Sequence, residues 1–200
     1  MKILKYILLT YGLFFGNNTI HAQDWPNLAK YSEENAALTI PSENESRVVF
    51  MGNSITEGWK SMRPEYFSNP NYINRGIGGQ TTPQMLVRFR ADVVNLKPKV
   101  VVILAGTNDI AGNTGKSTIA MIANNIKSMS EIAQANGIKV ILGSVHPVFD
   151  YPWKKGLEPA DKIITLNAIL KTYALDNGVI YLDYFSAMVN DNKGLKSALT

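Results

Sequence analysis

Five short runs of β-branched and apolar residues recur along the chain, at residues 47 to 51, 72 to 74, 100 to 104, 139 to 142 and 179 to 182. Between them lie amphipathic stretches, at 83 to 96, 118 to 136 and 159 to 176, each long enough for several helical turns. Strand and helix in alternation predict a parallel sheet, because parallel neighbours need a long crossover between them. Val100-Val101-Val102-Ile103-Leu104 is apolar throughout, so that strand is expected to be covered on both faces. A further helix is expected over residues 27 to 38, ended by the Ile40-Pro41 step. The expected class is α/β, and 200 residues suit one domain.

Composition removes several chemistries. The chain has no cysteine, which excludes a disulfide framework, a thiolate zinc site and a cysteine nucleophile. Its formal charge of +4 is scattered rather than clustered, which argues against a nucleic-acid partner. The first residues are charged at Lys2 and Lys5, apolar over about ten positions from Tyr6 to Phe15, and small at Ala22. This is the pattern of a secretory signal peptide over residues 1 to 22, too short to span a bilayer, which takes about 20 apolar residues. Export without a stable membrane anchor is expected, since there is no cysteine to lipidate. Of two histidines, His21 would leave with the leader, so a mature domain over residues 23 to 200 would keep only His146.

In doubly wound folds the chemistry gathers where strands end at their carboxyl edge. Four loops should therefore line one cleft: Gly52-Asn53-Ser54-Ile55-Thr56, Arg75-Gly76-Ile77-Gly78-Gly79-Gln80, Ala105-Gly106-Thr107-Asn108-Asp109 and Ser144-Val145-His146-Pro147. Residues 112 to 117 imitate a phosphate-binding loop, but Ile110 stands where its first glycine is required. The glycines at 76, 78 and 79 fail a dinucleotide fingerprint, because Thr81 replaces its third glycine. Ser54 reads either as a nucleophile or as the cap of the helix that follows it. Gly79 reads either as a backbone donor brought close to a ligand or as a plain turn residue. Asn108 reads either as an amide donor in the cleft or as an Asx turn with Asp109 capping the next segment. One hydroxyl and two candidate oxyanion donors, each just after consecutive strands, favour acyl transfer.

These segments resemble the first three sequence blocks of the SGNH hydrolases, the GDSL-type esterases and lipases: residues 49 to 56, residues 74 to 82 and Gly106-Thr107-Asn108-Asp109. The resemblance runs from about Arg47 to Asp183. It implies a flavodoxin-like three-layer α/β/α sandwich with a five-stranded parallel sheet. It makes Ser54 the nucleophile and gives the oxyanion hole to the Ser54 and Gly79 N–H groups and the Asn108 side chain. It implies ester hydrolysis through an acyl-enzyme, with no metal or cofactor.

Two positions depart from the family pattern. Asn53 stands where the first block usually carries aspartate, and an amide can still hydrogen-bond the turn. The Asp-x-x-His pair that supplies the family's base occurs nowhere, so on this resemblance the domain is expected to be incomplete at its C-terminal end and to lack its closing helix. His146 could replace that base if Asp150 folded back to orient it; the favoured expectation is a loop histidine that contacts substrate beside Tyr151 and Trp153. The expected substrate is a short acyl ester, such as an acetyl group on a carbohydrate. The alternatives are a lysophospholipase or thioesterase-like acylhydrolase, and a catalytically silent binding protein.

Overall fold

The computed structural model describes residues 23–199, so the leader over residues 1 to 22 lies outside the described residues. All five strands form: β1 (Val48–Gly52), β2 (Tyr72–Gly76), β3 (Val100–Leu104), β4 (Lys139–Gly143) and β5 (Ile180–Leu182). They pair in parallel in the order β2-β1-β3-β4-β5, the doubly wound order of flavodoxin-like folds. Seven α-helices accompany them among the described residues: α1 (Ser32–Ala37), α2 (Ser54–Met62), α3 (Thr82–Asp92), α4 (Thr107–Ile110), α5 (Ile119–Ala135), α6 (Pro159–Asp176) and α7 (Tyr184–Met188).

Two helices differ from expectation. The stretch over residues 27 to 38 splits into a 3-10 turn at Leu28–Tyr31 and the short α1, because Tyr31 leaves helical geometry at φ −112° and ψ 8°. The stretch over 83 to 96 ends as α3 at Asp92, and a 3-10 turn at Val94–Leu96 completes it. The apolar spacing continues through Val93, but its backbone at φ −129° and ψ −65° does not.

Register explains the two faces of the sheet. Met51, Ile103, Leu142 and Tyr181 align in one row, and Phe50, Val102, Ile141 and Ile180 in the next, pointing to the opposite face. On the first face Met51 and Leu142 are wholly buried, and Ile103 is nearly so, in a core shared with Met85, Phe89, Ile126, Met129 and Leu166. On the second face α2 covers β1 and β2 through an aromatic cluster in which Trp59, Tyr66, Phe67 and Tyr72 surround Phe50 at centroid distances of 5.5 to 5.9 Å. That covering does not reach β5, where Ile180 is 59% exposed and Leu182 39%. Among the described residues no helix longer than α7 follows β5.

The two faces should respond differently to mutation. Leu142→Ala is expected to cost about 2 to 5 kcal/mol of unfolding free energy, whereas Ile180→Thr should stay within about 0.5 kcal/mol; urea unfolding checks both.

Candidate active site

The strand order reverses direction between β1 and β3, so their carboxyl ends open the crevice where ligands bind in such sheets. Ser54 opens α2 directly after β1. The capping role that competed for it belongs to Asn53, whose Oδ1 accepts from the Ile55 N–H at 3.1 Å. The amide in place of the usual aspartate thus does the turn-holding expected of it. Ser54 is exposed, and among the described residues its Oγ has no hydrogen-bond partner. Its N–H is the first of α2 and has no partner within the helix.

The second loop comes close because β2 ends in glycine: a Cβ at Gly76 would sit 2.2 Å from the Glu57 N in the first turn of α2. A Cβ at Gly78 would lie 3.9 Å from Ser54 Cβ. Ile77 to Gln80 form a turn closed by Gln80 N–H donating to Ile77 O at 3.3 Å, with Gly79 at φ +74°. A positive φ at the third turn position defines a type II turn, which glycine adopts without strain. From Gly76 to Thr82 the backbone N–H groups donate in turn to Asn74 Oδ1, Gly52 O, Glu57 Oε2, Ile77 O, Gln84 Oε1 and Asp109. The Gly79 N–H alone has no acceptor among these described residues.

The third loop is tied to the second. Asn108, in the first turn of α4, reaches across to donate Nδ2–H to Gln80 O at 2.9 Å, leaving its second amide hydrogen for a ligand. It does not fold back into an Asx turn. Asp109 accepts from Thr82 N–H at 2.9 Å and from Thr82 Oγ1 at 2.6 Å, so it caps α3 rather than the segment after it. Burial pushes the Asp109 carboxyl above its ordinary range, against the opposing pull of the Thr82 donors. The structure therefore brings Ser54, Gly79 and Asn108 to one sheet edge and leaves three donors there without acceptors among the described residues: the Ser54 N–H, the Gly79 N–H and one Asn108 hydrogen.

The sequence pattern of the GDSL-like Lipase/Acylhydrolase family matches residues 50–200. The chain belongs to that family. A crystal structure of a GDSL-like lipase from Bacteroides thetaiotaomicron VPI-5482 superposes with a TM-score of 0.85 at 49% identity, covering 88% of this chain and 86% of that one. Esterase TesA of Pseudomonas aeruginosa is 30% identical over 119 residues, 58% of each chain. Platelet-activating factor acetylhydrolase IB subunit alpha2 of Homo sapiens is 31% identical over 108 residues, 50% of this chain and 43% of that protein. The chain spans about half the length of these two curated relatives.

In this GDSL-like family member His146 lines an apolar pocket of about 270 Å³ with Ile55, Trp59, Leu104, Tyr184 and Met188. Its ring meets Tyr184 edge-on at 5.3 Å, and its buried Nε2 has no hydrogen-bond partner among the described residues. Burial pushes its pKa below the ordinary value. Asp150 does not orient it, since that carboxylate accepts from Tyr151 N–H and Gly156 N–H. Asp183 is likewise committed, to Ser186 in the cap of α7. His146 therefore sits beside α2 without the carboxylate or serine contacts of a general base. Tyr151 departs from the substrate-contact expectation: it is wholly buried, and its hydroxyl donates to Thr107 O at 2.8 Å. Trp153 is 63% exposed, its ring tilted at 37° to that of Tyr151 with 5.0 Å between centroids.

Sequence reasoning did not anticipate Arg88. An arginine four residues before an aspartate on a helix reads as a surface pair, yet Arg88 and Asp92 are both buried, 2.9 Å apart. The guanidinium also donates to Gly52 O, Arg75 O and Gln80 Oε1, joining the first two loops from beneath.

His146 makes a pH-dependent contribution to stability. Because its folded pKa is depressed, the unfolded chain takes up its proton first, and stability is lost as pH falls below about 6.5. His146→Phe should remove that loss, so its advantage in thermal midpoint over the parent should grow as pH falls from 7.5 to 5.

Proposed function

We propose that the chain hydrolyses carboxylic esters through an acyl intermediate on Ser54. The observation that carries this reading is the set of free donors around an uncommitted serine hydroxyl at a helix N-terminus. Attack by Ser54 Oγ on the ester carbonyl forms the Oγ–C bond, gives up the hydroxyl proton to solvent water and moves the carbonyl π pair onto the carbonyl oxygen. That oxygen then accepts from Ser54 N–H, Gly79 N–H and Asn108 Nδ2–H. Collapse breaks the bond to the alcohol oxygen, which leaves with a proton from solvent; water then attacks the acyl-serine, its hydroxyl goes to the released acid, and a proton returns to Ser54 Oγ. These donors act on charge that exists only in the transition state, so they raise kcat more than they tighten binding. A serine hydroxyl also needs a proton acceptor, and the one described imidazole is not hydrogen-bonded to it.

For the substrate we propose short acyl esters on carbohydrates, with Trp153 as an open aromatic face for a sugar ring. The acetyl specificity in the name of the platelet-activating factor relative supports a short acyl group. A second reading, a longer-chain lysophospholipid or thioester, is favoured by the apolar pocket adjoining Ser54 at Ile55 and Thr56. Export is proposed on the leader pattern; among the described residues no helix is long and apolar enough to cross a membrane.

Ser54→Ala should abolish ester turnover without moving the unfolding midpoint, and Asn108→Ala should lower kcat about 100-fold or more with little change in KM. Acetate release from acetylated oligosaccharides would favour the short-acyl reading, and fatty acid release from lysophospholipid the second. Saturable binding of either ester without turnover, unaltered by Ser54→Ala, would instead make the chain a silent binding protein.

A further inference from the structure

Beside the Gly79 N–H, which has no acceptor among the described residues, the neighbouring amide is occupied. Gly78 N–H donates to Glu57 Oε2 at 2.6 Å, and Gly78 is otherwise exposed at the tip of its turn. Glu57 lies three residues after Ser54, in the first turn of α2. Its other oxygen, Oε1, pairs with Lys30. Lys30 belongs to the segment before β1, which the family pattern does not reach. That segment holds the same loop and the first turn of α3 at further points: the Tyr31 hydroxyl donates to Gly76 O, Gln80 Nε2 donates to Pro26 O at 2.6 Å, and Gln84 Nε2 of α3 to Trp25 O at 2.7 Å. On the other side, Asn113 Nδ2 donates to Gly79 O at 3.1 Å.

A two-glycine turn has more backbone freedom than any other, and in a type II turn the direction of the central amide depends on the conformation of both residues. Fixing Gly78 N–H before the central peptide and Gly79 O after it limits that amide to the orientations compatible with both anchored neighbours. We propose that Glu57, clamped by Lys30, is a positioning residue for the oxyanion hole: its carboxylate holds Gly78 so that the Gly79 N–H stays directed at the charge developing beside Ser54. Glu57 acts through the Gly78 amide and touches no substrate. A carboxylate this near a developing oxyanion would oppose it, and the Lys30 ammonium offsets that charge. This inference rests on the ester-hydrolase reading and assigns the N-terminal segment a role in it.

Hydrolysis of p-nitrophenyl acetate by the full chain tests it, because this ester's leaving group departs without a proton. Glu57→Ala should lower kcat about 10- to 100-fold and leave KM within about 2-fold, as expected when an oxyanion donor is misdirected while substrate binding stays intact. Glu57→Gln keeps an oxygen that can accept from Gly78 and should recover most of kcat. Independently of turnover, amide hydrogen exchange by NMR should show Gly78 losing protection in Glu57→Ala and keeping it in Glu57→Gln. Unchanged exchange at Gly78 in Glu57→Ala would overturn the positioning role whatever the kinetics. Unchanged kcat in Glu57→Ala, or equal losses in the two variants, would overturn it as well. Absence of Ser54-dependent turnover in the parent would instead overturn the hydrolase reading, with the exchange result still deciding whether Glu57 holds the turn.

Discussion

Parallel strands end in carbonyl groups that point beyond the ladder, and a functional crevice at that edge depends on how those groups are satisfied. Here Arg88 meets them from α3. Its guanidinium donates to Gly52 O at the end of β1, to Arg75 O in β2, to the Gln80 side chain in the turn that follows, and to Asp92 one helical turn away. A buried cation is tolerated only when nearly every donor is used, and this arrangement uses all three guanidinium nitrogens. The same demand makes Arg88 a rigid crosslink. Moving any one of its acceptors would leave a charge without partners in the core, so the ends of β1 and β2 and the Gln80 side chain are held as one unit.

The candidate site is assembled on that unit by hydrogen bonds that run between loops. Asn74 Nδ2 donates to Thr56 O, binding α2 to β2; Asn108 binds the third loop to Gln80 O; and Asp109 binds it to Thr82. Each bond consumes a polar group, and the groups that remain unconsumed among the described residues are the ones assigned to an oxyanion in the proposed reaction. On that proposal the site is preorganised: the donors are fixed before any charge would develop, so little reorganisation would be required.

The sequence displayed the five strands clearly, because a buried parallel strand reads as a run of apolar residues and needs no partner to be recognised. Helix boundaries were less legible, since Val93 continues the apolar spacing while its backbone leaves the helix. Among site residues, Ser54, Gly79 and Asn108 stood out by their places after strands. Tyr151 did not reveal its burial, because its hydroxyl partner Thr107 is 44 residues away in sequence. Arg88 and Glu57 were hidden for the same reason: a charged residue on a helix looks solvated until the loops it serves are folded against it.

The order of blocks and strands in these 200 residues determined the α/β class, the family and the identity of the candidate nucleophile. Only the tertiary structure decided that Asn53 and not Ser54 caps α2 and, among the described residues, that the Gly79 amide is left without an acceptor and that His146 faces an apolar pocket without an acid to orient it. The division has one physical cause. Hydrophobic periodicity is a local property written residue by residue, whereas the commitment of each polar group depends on partners that only folding brings within about 3 Å of it.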